Sequence, residues 1–492
     1  MSSIRPTVEI LSKKDISIII DKAITLLSQM GIYVGSDSVI RILQEHDGIK
    51  VPKANIVMMT GETVEKCLKS VPSSLTIDPQ DNLETIRIEG DNFYYVADSV
   101  GKSILDWKTR KVRKPTSKDL VEHIKVLNEC SNISFQSGAL LCSDVPMEIT
   151  NTYRWYVSLL YSPKPMFGGF WDKEDFFIIK DMLTVLAGSD RELRERPMAV
   201  HGLNPFSPLG LTDIVAEHLV NAANAMLPVM LVPIPLAGGS SPVTLAGTLV
   251  QNTAENLGAL VVSQLANPGA PLLFGGGPSI MDMRKGTAAQ ASIEAVLLSC
   301  GIGAIGKHLG LPTGTNVGRA DSKLEDYQAG QESTSGLTLA ALAGINMIRG
   351  SGALEYCNLI SLEKLLLDNE VCGMATRLAR GIMISDDTLA LSSIKENARS
   401  DTGYMDTEHT LRWFRSELHM PSNLIDRTTR CEFEENQEKN AQERASDRIE
   451  MILANYQVRE LDEDKKKELD KLMLNHAKKY GMNTLPVVSD IN

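Results

Sequence analysis

Aromatic side chains that follow short apolar runs are the first residues in this sequence that suggest a chemistry. Only 5% of the residues are aromatic, yet Phe170, Trp171, Phe206 and Tyr356 each come at or just after the end of such a run. Ring faces attract quaternary ammonium groups, which cannot be held by hydrogen bonds. The pattern predicts that Trp171, Phe206 and Tyr356 form an aromatic wall for such a cation, with Phe170 nearby. The alternative is that these rings cap a hydrophobic core.

Glycine clusters end two further apolar runs. Gly238 and Gly239 precede two serines, and the run from Pro271 ends in Gly275, Gly276 and Gly277. Glycine is favoured where the backbone turns with positive φ or approaches another group closely. Such ends can cradle a phosphate, or they can leave an opening that admits a large planar ligand. Both interpretations stay open, and we treat these five glycines as candidate cofactor-binding residues.

Polar side chains at other run ends are candidate substrate ligands. These are Gln136, His201, His308, Arg349 and Glu355. Arg349 could bind a carboxylate bidentately, with the two histidines as alternative donors, or it could pair with Glu355 or another acid. The histidines could also converge on a metal, but the chain has no zinc-like histidine or cysteine spacing. We therefore expect buried, structural histidines and no metal site.

One match to a cofactor motif is in the wrong context. Gly301, Gly303 and Gly306 satisfy G-x-G-x-x-G. A dinucleotide fingerprint must follow a strand and open a helix, whereas this one follows a helical pattern and is expected to enter a strand. We do not interpret it as a nucleotide site.

The elements that would position these residues alternate along the chain. Short apolar runs recur at intervals of about 30 to 45 residues and are separated by segments with helical spacing. The eight runs begin at Ile133, Lys164, Arg196, Pro228, Pro271, Ile302, Ile345 and Gly381. Eight doubly buried strands alternating with helices predict an α/β fold, a (β/α)8 TIM barrel. The alternative is an open doubly wound sheet.

The segments on either side of this pattern differ from it. Residues 1–130 read as two amphipathic helices followed by β-hairpins, an N-terminal α+β extension. Residues 131–400 are assigned to the barrel, and residues 401–492 form a charged C-terminal helical segment, typical of solvated surface helices or a partner-facing arm.

Composition narrows the functional classes. The formal net charge of −12 argues against nucleic acid as a partner, because binding it requires clustered basic residues. The seven cysteines are dispersed, which is typical of reduced thiols. Neither a signal peptide nor a membrane-spanning run is recognisable, so we expect a cytoplasmic protein with no membrane partner.

Three long segments carry a family resemblance. They are DSVGKSILDWKTRKVRKPTSKDL, GGSSPVTLAGTLVQNTAENLGALVVSQLANPGAPLLFGG and DSKLEDYQAGQESTSGLTLAALAGINMIRGSGALEY. The chain resembles the trimethylamine methyltransferase superfamily, in particular its non-pyrrolysine branch, which includes glycine betaine methyltransferase. The resemblance extends over essentially the whole chain.

The resemblance implies a barrel that demethylates a quaternary amine such as glycine betaine, proline betaine, carnitine or γ-butyrobetaine. The methyl group would pass to Co(I) of a corrinoid (cobalamin) on a separate small protein, because the D-x-H-x-x-G motif of corrinoid carriers is missing here. The chain itself would bind no cofactor tightly, supply no catalytic side chain beyond positioning, and form a homo-oligomer. The alternatives are a non-catalytic substrate-binding barrel and a barrel lyase acting on a phosphorylated metabolite.

Overall fold

A computed structural model describes residues 4–81, 83–435, 438–457 and 459–486. Helices and small sheets come first, as the sequence predicts for this segment. Ser12 and Asp15 form a capping box that begins the first helix. The elements are α1 (Lys13–Gln29), β1 (Ile32–Val34), α2 (Asp37–Gln44), β2 (Ile49–Lys53), β3 (Ile56–Met59), α3 (Gly61–Ser70), β4 (Leu75–Ile77) and β5 (Ile86–Ile88).

Alternating strands and helices then fill the middle of the chain. In order they are β6 (Tyr94–Ala97), β7 (Ser103–Leu105), β8 (Val112–Arg113), α4 (Ser117–Asn128), β9 (Ile133–Phe135), α5 (Thr150–Tyr161), β10 (Met166–Gly168), α6 (Asp175–Ala187), α7 (Asp190–Glu195), β11 (Ala199–Leu203), β12 (Gly210–Leu211), α8 (Asp213–Ala225), β13 (Val229–Leu231), β14 (Leu236–Ala237), α9 (Leu245–Ala266), β15 (Leu272–Gly276), β16 (Ser279–Asp282), β17 (Thr287–Ala289), α10 (Ile293–His308), β18 (Thr313–Asn316), α11 (Tyr327–Leu342), β19 (Met347–Ser351), β20 (Ala353–Leu354), β21 (Leu359–Ser361) and α12 (Leu362–Ala379).

Eight of the described strands form the barrel, and each is parallel to its neighbours. Their order around the sheet is β10, β11, β13, β15, β18, β19, β6 and β9. A parallel bridge between Gln136 and Met166 joins β9 to β10 and closes the ring. The predicted (β/α)8 barrel is confirmed.

The barrel interior is a separate hydrophobic cluster. Side chains such as Val96, Phe135, Phe167, Met230 and Met347 fill it, each from a different strand. Other side chains of the same strands pack outward against the helices, which explains why most of these strands appear in the sequence as continuous apolar runs.

Two of the eight predicted strands are wrong. The run at Ile302 lies inside α10, and the strand in that place is β18, whose sequence Thr313–Asn316 is polar. The run at Gly381 forms no strand. The ring is completed instead by β6, which lies in the segment assigned to the N-terminal extension. The division of the chain at residues 130 and 400 stays a prediction.

The C-terminal part is helical, with α13 (Leu391–Asn397), α14 (Glu408–Glu417), α15 (Arg430–Glu435), α16 (Ala441–Asn455) and α17 (Glu463–Lys478). The last two are not purely solvated helices. Ile449 of α16 and Met473 of α17 are fully buried in the clusters that cover the barrel. Within the described residues, we find no helix with the length and apolarity that crossing a membrane requires.

Candidate active site

A cavity of about 370 Å³ opens at the C-terminal mouth of the barrel, and we refer to it as the mouth cavity. Ligand groups in barrels of this kind sit just past the carboxyl ends of the strands, so this is the candidate active site. Its polar and aromatic lining includes Asp98 and Ser99 after β6, Phe170 and Trp171 after β10, Asn204 after β11, Asn316 and Arg319 at and after β18, Arg349 of β19 and Arg154 of α5.

Three buried guanidinium groups define the mouth cavity, those of Arg154, Arg319 and Arg349. Arg349 donates from Nη1 to Asn316 Oδ1 at 2.8 Å and from Nη2 to Ser99 Oγ at 3.1 Å. These bonds join the ends of three neighbouring strands, so the orientation of the guanidinium is fixed by the barrel itself.

A single carboxylate opposes this positive charge. Asp98 is the only acid among the described residues that line the mouth cavity. Its oxygens lie 3.1 Å from Nη2 of Arg319 and 3.7 Å from Nη2 of Arg349. Asp98 therefore neutralises one of the three arginines, and the cavity keeps an excess of positive charge.

The arginines keep their charge at neutral pH. Burial lowers the pKa of Arg154 and of Arg349, in each case to about 10. Burial acts in the same direction on Arg319, but the negative charge of Asp98, together with weaker contributions, raises the pKa of Arg319 above its usual value. All three groups are thus cationic under physiological conditions.

Several of their donors are also unsatisfied. In the described part of the chain, Nη1 of Arg154 and Nε of both Arg319 and Arg349 have no hydrogen-bond partner. A buried cation without a counter-charge is strongly unfavourable. An anionic ligand group would supply both the missing charge and the missing acceptors.

Aromatic rings line the same cavity, but two of them already contact arginines. The guanidinium carbon of Arg349 lies 4.0 Å from the ring centroid of Phe167, and that of Arg154 lies 4.8 Å from the Trp171 ring. Phe170 is buried beside them. A substrate cation would therefore have to use the remaining ring surface of Phe170 and Trp171.

The predicted aromatic wall is only partly brought together. Trp171 lines the mouth cavity, whereas Phe206 and Tyr356 are not among its lining residues. Phe206 packs against Tyr33 with ring centroids 5.9 Å apart, and the Lys323 ammonium lies 4.8 Å above the Tyr356 ring.

Neither predicted histidine lines the mouth cavity. His201 of β11 is stacked between Phe170 and Trp155, with ring centroids 4.7 and 5.4 Å away. Burial lowers the pKa of His201 to about 3, so the ring is neutral. His308 ends α10 at the opposite end of the barrel, near Arg5. A search of the described residues finds no cluster that could hold a metal ion.

The other two predicted polar ligands, Gln136 and Glu355, are not among the residues that line the mouth cavity. Gln136 is buried, and its Oε1 accepts a hydrogen bond from the backbone N–H of Ser137 at 2.9 Å. Glu355 is in a turn with φ 46° and is not among the residues lining the mouth cavity. Arg349 accordingly faces Asp98 and not Glu355.

The predicted cofactor-binding glycines contact neighbouring protein groups. A Cβ on Gly275 would lie 2.7 Å from the carbonyl oxygen of Gly314, and one on Gly277 would lie 2.9 Å from Asn316 Nδ2. Gly276 is likewise crowded, with Asn252 Nδ2 at 2.7 Å from such a Cβ. Gly238 takes φ 85° in the turn after β14, followed by Gly239. Glycine is therefore required at 275–277 because neighbouring strands and loops approach the backbone closely there. A role of these glycines in cofactor binding stays a prediction.

Sequence reasoning missed most of the charged lining. Asp98 and Ser99 follow β6, which was not recognised as a barrel strand, and Arg319 follows β18, which was placed too early. Arg154 lies on a helix, where a rule based on strand ends does not look. The short apolar run Tyr94–Ala97 immediately before Asp98 was the signal that could have located the first of these residues.

Fold and site together define a (β/α)8 barrel with a positively charged cavity at its mouth, where enzymes of this fold place their active sites. Comparison with known proteins specifies it further. The trimethylamine methyltransferase family model matches residues 1–481. The chain is 29% identical over 472 residues to a trimethylamine methyltransferase of Desulfitobacterium hafniense strain DCB-2, covering 96% of this chain and 94% of that protein.

Two further comparisons give a second related methyltransferase and a solved structure with the same fold. A glycine betaine methyltransferase of Desulfitobacterium hafniense strain Y51 is 27% identical and covers 98% of this chain and 100% of its own length. The crystal structure of the monomethylamine methyltransferase of Methanosarcina barkeri has the same fold, with a TM-score of 0.54 at 12% identity over 90% of this chain and 88% of that one. The chain belongs to the trimethylamine methyltransferase family and is a methyltransferase, which argues against the lyase alternative.

Proposed function

We propose that this methyltransferase demethylates a betaine, a quaternary amine that carries a carboxylate, and that the methyl acceptor is Co(I) of a corrinoid bound to a separate small protein. The excess positive charge of the mouth cavity is the observation that carries the proposal. Arg154, Arg319 and Arg349 are buried there with Asp98 as the only acid in the described lining. A betaine carboxylate would bring the negative charge that this arrangement lacks.

The same charge argues against a simple methylamine as the substrate. Trimethylammonium carries a positive charge and no anion, so three buried guanidinium groups would repel it. In a betaine the carboxylate can face Arg319 and Arg349, which leaves the trimethylammonium end beside Phe170 and Trp171. The full-length similarity to a glycine betaine methyltransferase supports this choice.

The size of the mouth cavity supports a substrate site on this chain and a corrinoid carried by a separate protein. About 370 Å³ accommodates a small betaine but is far too small for a corrin ring with its side chains. The corrinoid fits only across the open rim, where Trp171 and Ile234 are each 37% exposed. When bound there it would supply a strong nucleophile, Co(I), for the substrate methyl carbon.

The chain's own residues would then act by binding and alignment. The leaving group is a neutral tertiary amine, so no proton has to be transferred in this step. The carbon–nitrogen bond breaks with its electron pair staying on nitrogen, and the methyl carbon must lie in line between nitrogen and its acceptor. The arginines would fix the carboxylate end and thereby the direction of that bond, while the closed lower barrel excludes water.

A methyl-transfer assay tests the proposal. The purified chain is mixed with a corrinoid protein held in the Co(I) state, and methylation is followed by absorbance after addition of glycine betaine, proline betaine, carnitine or γ-butyrobetaine. Trimethylamine and choline are the carboxylate-free controls. We expect turnover with at least one betaine and much weaker turnover with both controls. Preference for trimethylamine would refute the betaine assignment, and binding of a betaine without methylation would indicate a non-catalytic barrel.

A further inference from the structure

Arg154 differs from the other two arginines of the mouth cavity in its position and in its partners. It lies on α5 and is 2% exposed. Its Nε donates to the carbonyl oxygen of Gly138, and its Nη2 donates to that of Ser137 at 3.1 Å. Both carbonyl groups follow β9, so they hold the guanidinium group at the side of the mouth that β9 and β10 form.

Arg154 has no carboxylate paired with it. Asp98, the only acid in the described lining of the mouth cavity, forms its ion pairs with Arg319 and Arg349. Within the part of the chain that the structure describes, Arg154 forms no ion pair, and its Nη1 has no hydrogen-bond acceptor. A buried cation that lacks both is strongly unfavourable. The missing anion therefore has to come from outside the chain.

A neighbouring acid is engaged elsewhere. The negative charge of Asp175 acts on Arg154 through space. Its Oδ2, however, accepts from the backbone N–H of Trp171 at 2.7 Å and from Nδ2 of Asn151 at 2.6 Å. Asp175 thus holds the loop that carries Trp171, whose ring lies 4.8 Å from the guanidinium carbon of Arg154. It does not supply the acceptor that Nη1 of Arg154 lacks.

A betaine with one carboxylate does not correct the charge imbalance of the mouth cavity. Three arginines and one aspartate in the described lining leave two positive charges in excess. Such a betaine adds one negative and one positive charge, so the excess stays the same. With its carboxylate at Arg319 and Arg349, its trimethylammonium end would lie beside Trp171 and would be repelled by Arg154.

We infer that Arg154 binds a second anion in the mouth cavity, a carboxylate or a similar small oxyanion. The inference rests on the proposed function, which assigns the first carboxylate to Arg319 and Arg349. The second anion has two sources, an additional acidic group of the substrate or a free anion that binds together with a betaine. The cavity volume of about 370 Å³ lies in the range of about 300–1,000 Å³ that holds drug-sized ligands, so it has room for this second group.

Calorimetry with a matched pair of ligands tests the inference and separates the two sources. γ-Butyrobetaine has one carboxylate, and N,N,N-trimethylglutamate is the same molecule with a second carboxylate on the carbon that bears nitrogen. If the substrate supplies the anion, trimethylglutamate should bind the unmodified chain about tenfold to 150-fold more tightly than γ-butyrobetaine. If a free anion supplies it, inorganic phosphate should strengthen the binding of γ-butyrobetaine by a similar factor.

Variants of Arg154 assign the effect to this side chain. In Arg154→Met, the ratio of the two affinities and the effect of phosphate should both fall to about one. Arg154→Lys keeps the charge and should retain part of the effect. Arg191→Met, at a side chain that is 82% exposed on the outer surface, is the matched control and should retain all of it. An unmodified chain that shows neither effect, or an effect that persists in Arg154→Met, would overturn the inference.

Crystals of the unmodified chain decide the question if Arg154→Met fails to fold. They are grown with trimethylglutamate and, separately, with selenate, an oxyanion that is located by the anomalous scattering of selenium. At least one of these ligands should place an oxygen within hydrogen-bond distance of Nη1 of Arg154. Anions only at Arg319 and Arg349 would overturn the inference. None of these measurements uses the corrinoid protein, so a chain that binds the second anion but does not methylate Co(I) would refute the proposed function and support the second anion site.

Discussion

Replacement of Arg349 by methionine gives the sharpest test of how this enzyme recognises its substrate. The change removes one of the three guanidinium groups of the mouth cavity and keeps a side chain of similar length. Asp98 retains Arg319 at 3.1 Å, so its carboxylate does not lose its nearest counter-charge. The fall in kcat/KM for a betaine should therefore come mainly from the lost interaction between Arg349 and the substrate carboxylate.

The expected magnitude follows from that interaction. Arg349 is 6% exposed and its Nε has no partner within the described chain, so a carboxylate bound there is shielded from water. Hydrogen bonds to charged groups contribute about 1.5–3 kcal/mol. Loss of one such contact lowers kcat/KM for a betaine by about tenfold to 150-fold. Choline has the same trimethylammonium group and no carboxylate, so its kcat/KM should not fall and should rise modestly, because one of the repelling guanidinium groups is gone.

The assay measures methyl transfer and calorimetric affinity for glycine betaine and for choline, side by side. Arg349→Lys is the conservative variant, which keeps the charge and should recover part of the betaine activity. Arg191→Met is the matched control, because the Arg191 side chain is 82% exposed on the outer surface. It should alter neither the activity nor the affinity for either substrate. Loss of the same factor on betaine and on choline would refute carboxylate recognition by Arg349.

Four further outcomes are expected. Trp171→Leu should weaken betaine affinity measured by calorimetry by about threefold to thirtyfold, while Phe206→Leu, at an equally exposed ring outside the mouth cavity, should not; equal losses would contradict the placement of the cation. In a steady-state pH profile, kcat should be flat near neutrality and KM for a betaine should rise as the pH approaches about 10, where Arg154 and Arg349 lose their charge; a bell centred on pH 7 would point to a titrating catalytic group. Burial lowers the pKa of His201 to about 3 in the folded chain, whereas the unfolded chain has a histidine pKa of about 6.5. As the pH falls below about 6.5 the unfolded chain therefore binds a proton that the folded chain does not bind, and the free energy of unfolding should fall by up to about 2 kcal/mol by pH 5. Urea unfolding measures the fall in the free energy of unfolding between pH 7 and pH 5, and this fall should be smaller in His201→Phe than in the unmodified chain. An equal fall in both would rule out this effect of His201. Dialysis against a chelator should leave methyl transfer intact, and loss of activity together with stoichiometric zinc would contradict the positioning mechanism.

The fold could be predicted from the sequence where strands are apolar on both faces, and the exceptions have physical causes. The run at Ile302 looked like a strand because α10 is a buried helix with apolar residues on every side. Its glycines serve packing: a Cβ on Gly303 would lie 2.6 Å from Ile345, and one on Gly306 would lie 2.5 Å from Thr313. The G-x-G-x-x-G pattern is therefore a close contact between a helix and its neighbours.

The candidate site was less predictable because its chemistry depends on burial and charge balance. Arg349 was identified because it ends an apolar run, and the structure places it in the mouth cavity. The local sequence does not identify Arg154 or Arg319 as site residues. Arg154 lies on a helix and Arg319 lies in a loop, and neither sequence shows which distant strand ends these side chains will face. The run that contains Ile382 and Ile384 was wrongly predicted to be a strand. Both side chains are exposed, and the sequence alone does not distinguish an exposed apolar segment from a buried strand.

The closure of the barrel has a consequence for how the chain folds during synthesis. Strand β6 pairs on one side with β9, about forty residues later, and on the other with β19, where Tyr95 is opposite Ile348. The second pairing spans more than half of the polypeptide, and such distant contacts form late and slowly. Both open edges of the sheet therefore remain exposed until β19 has left the ribosome. A nascent chain stalled before that point presents two unpaired strands, and chaperone binding should concentrate on chains of this length.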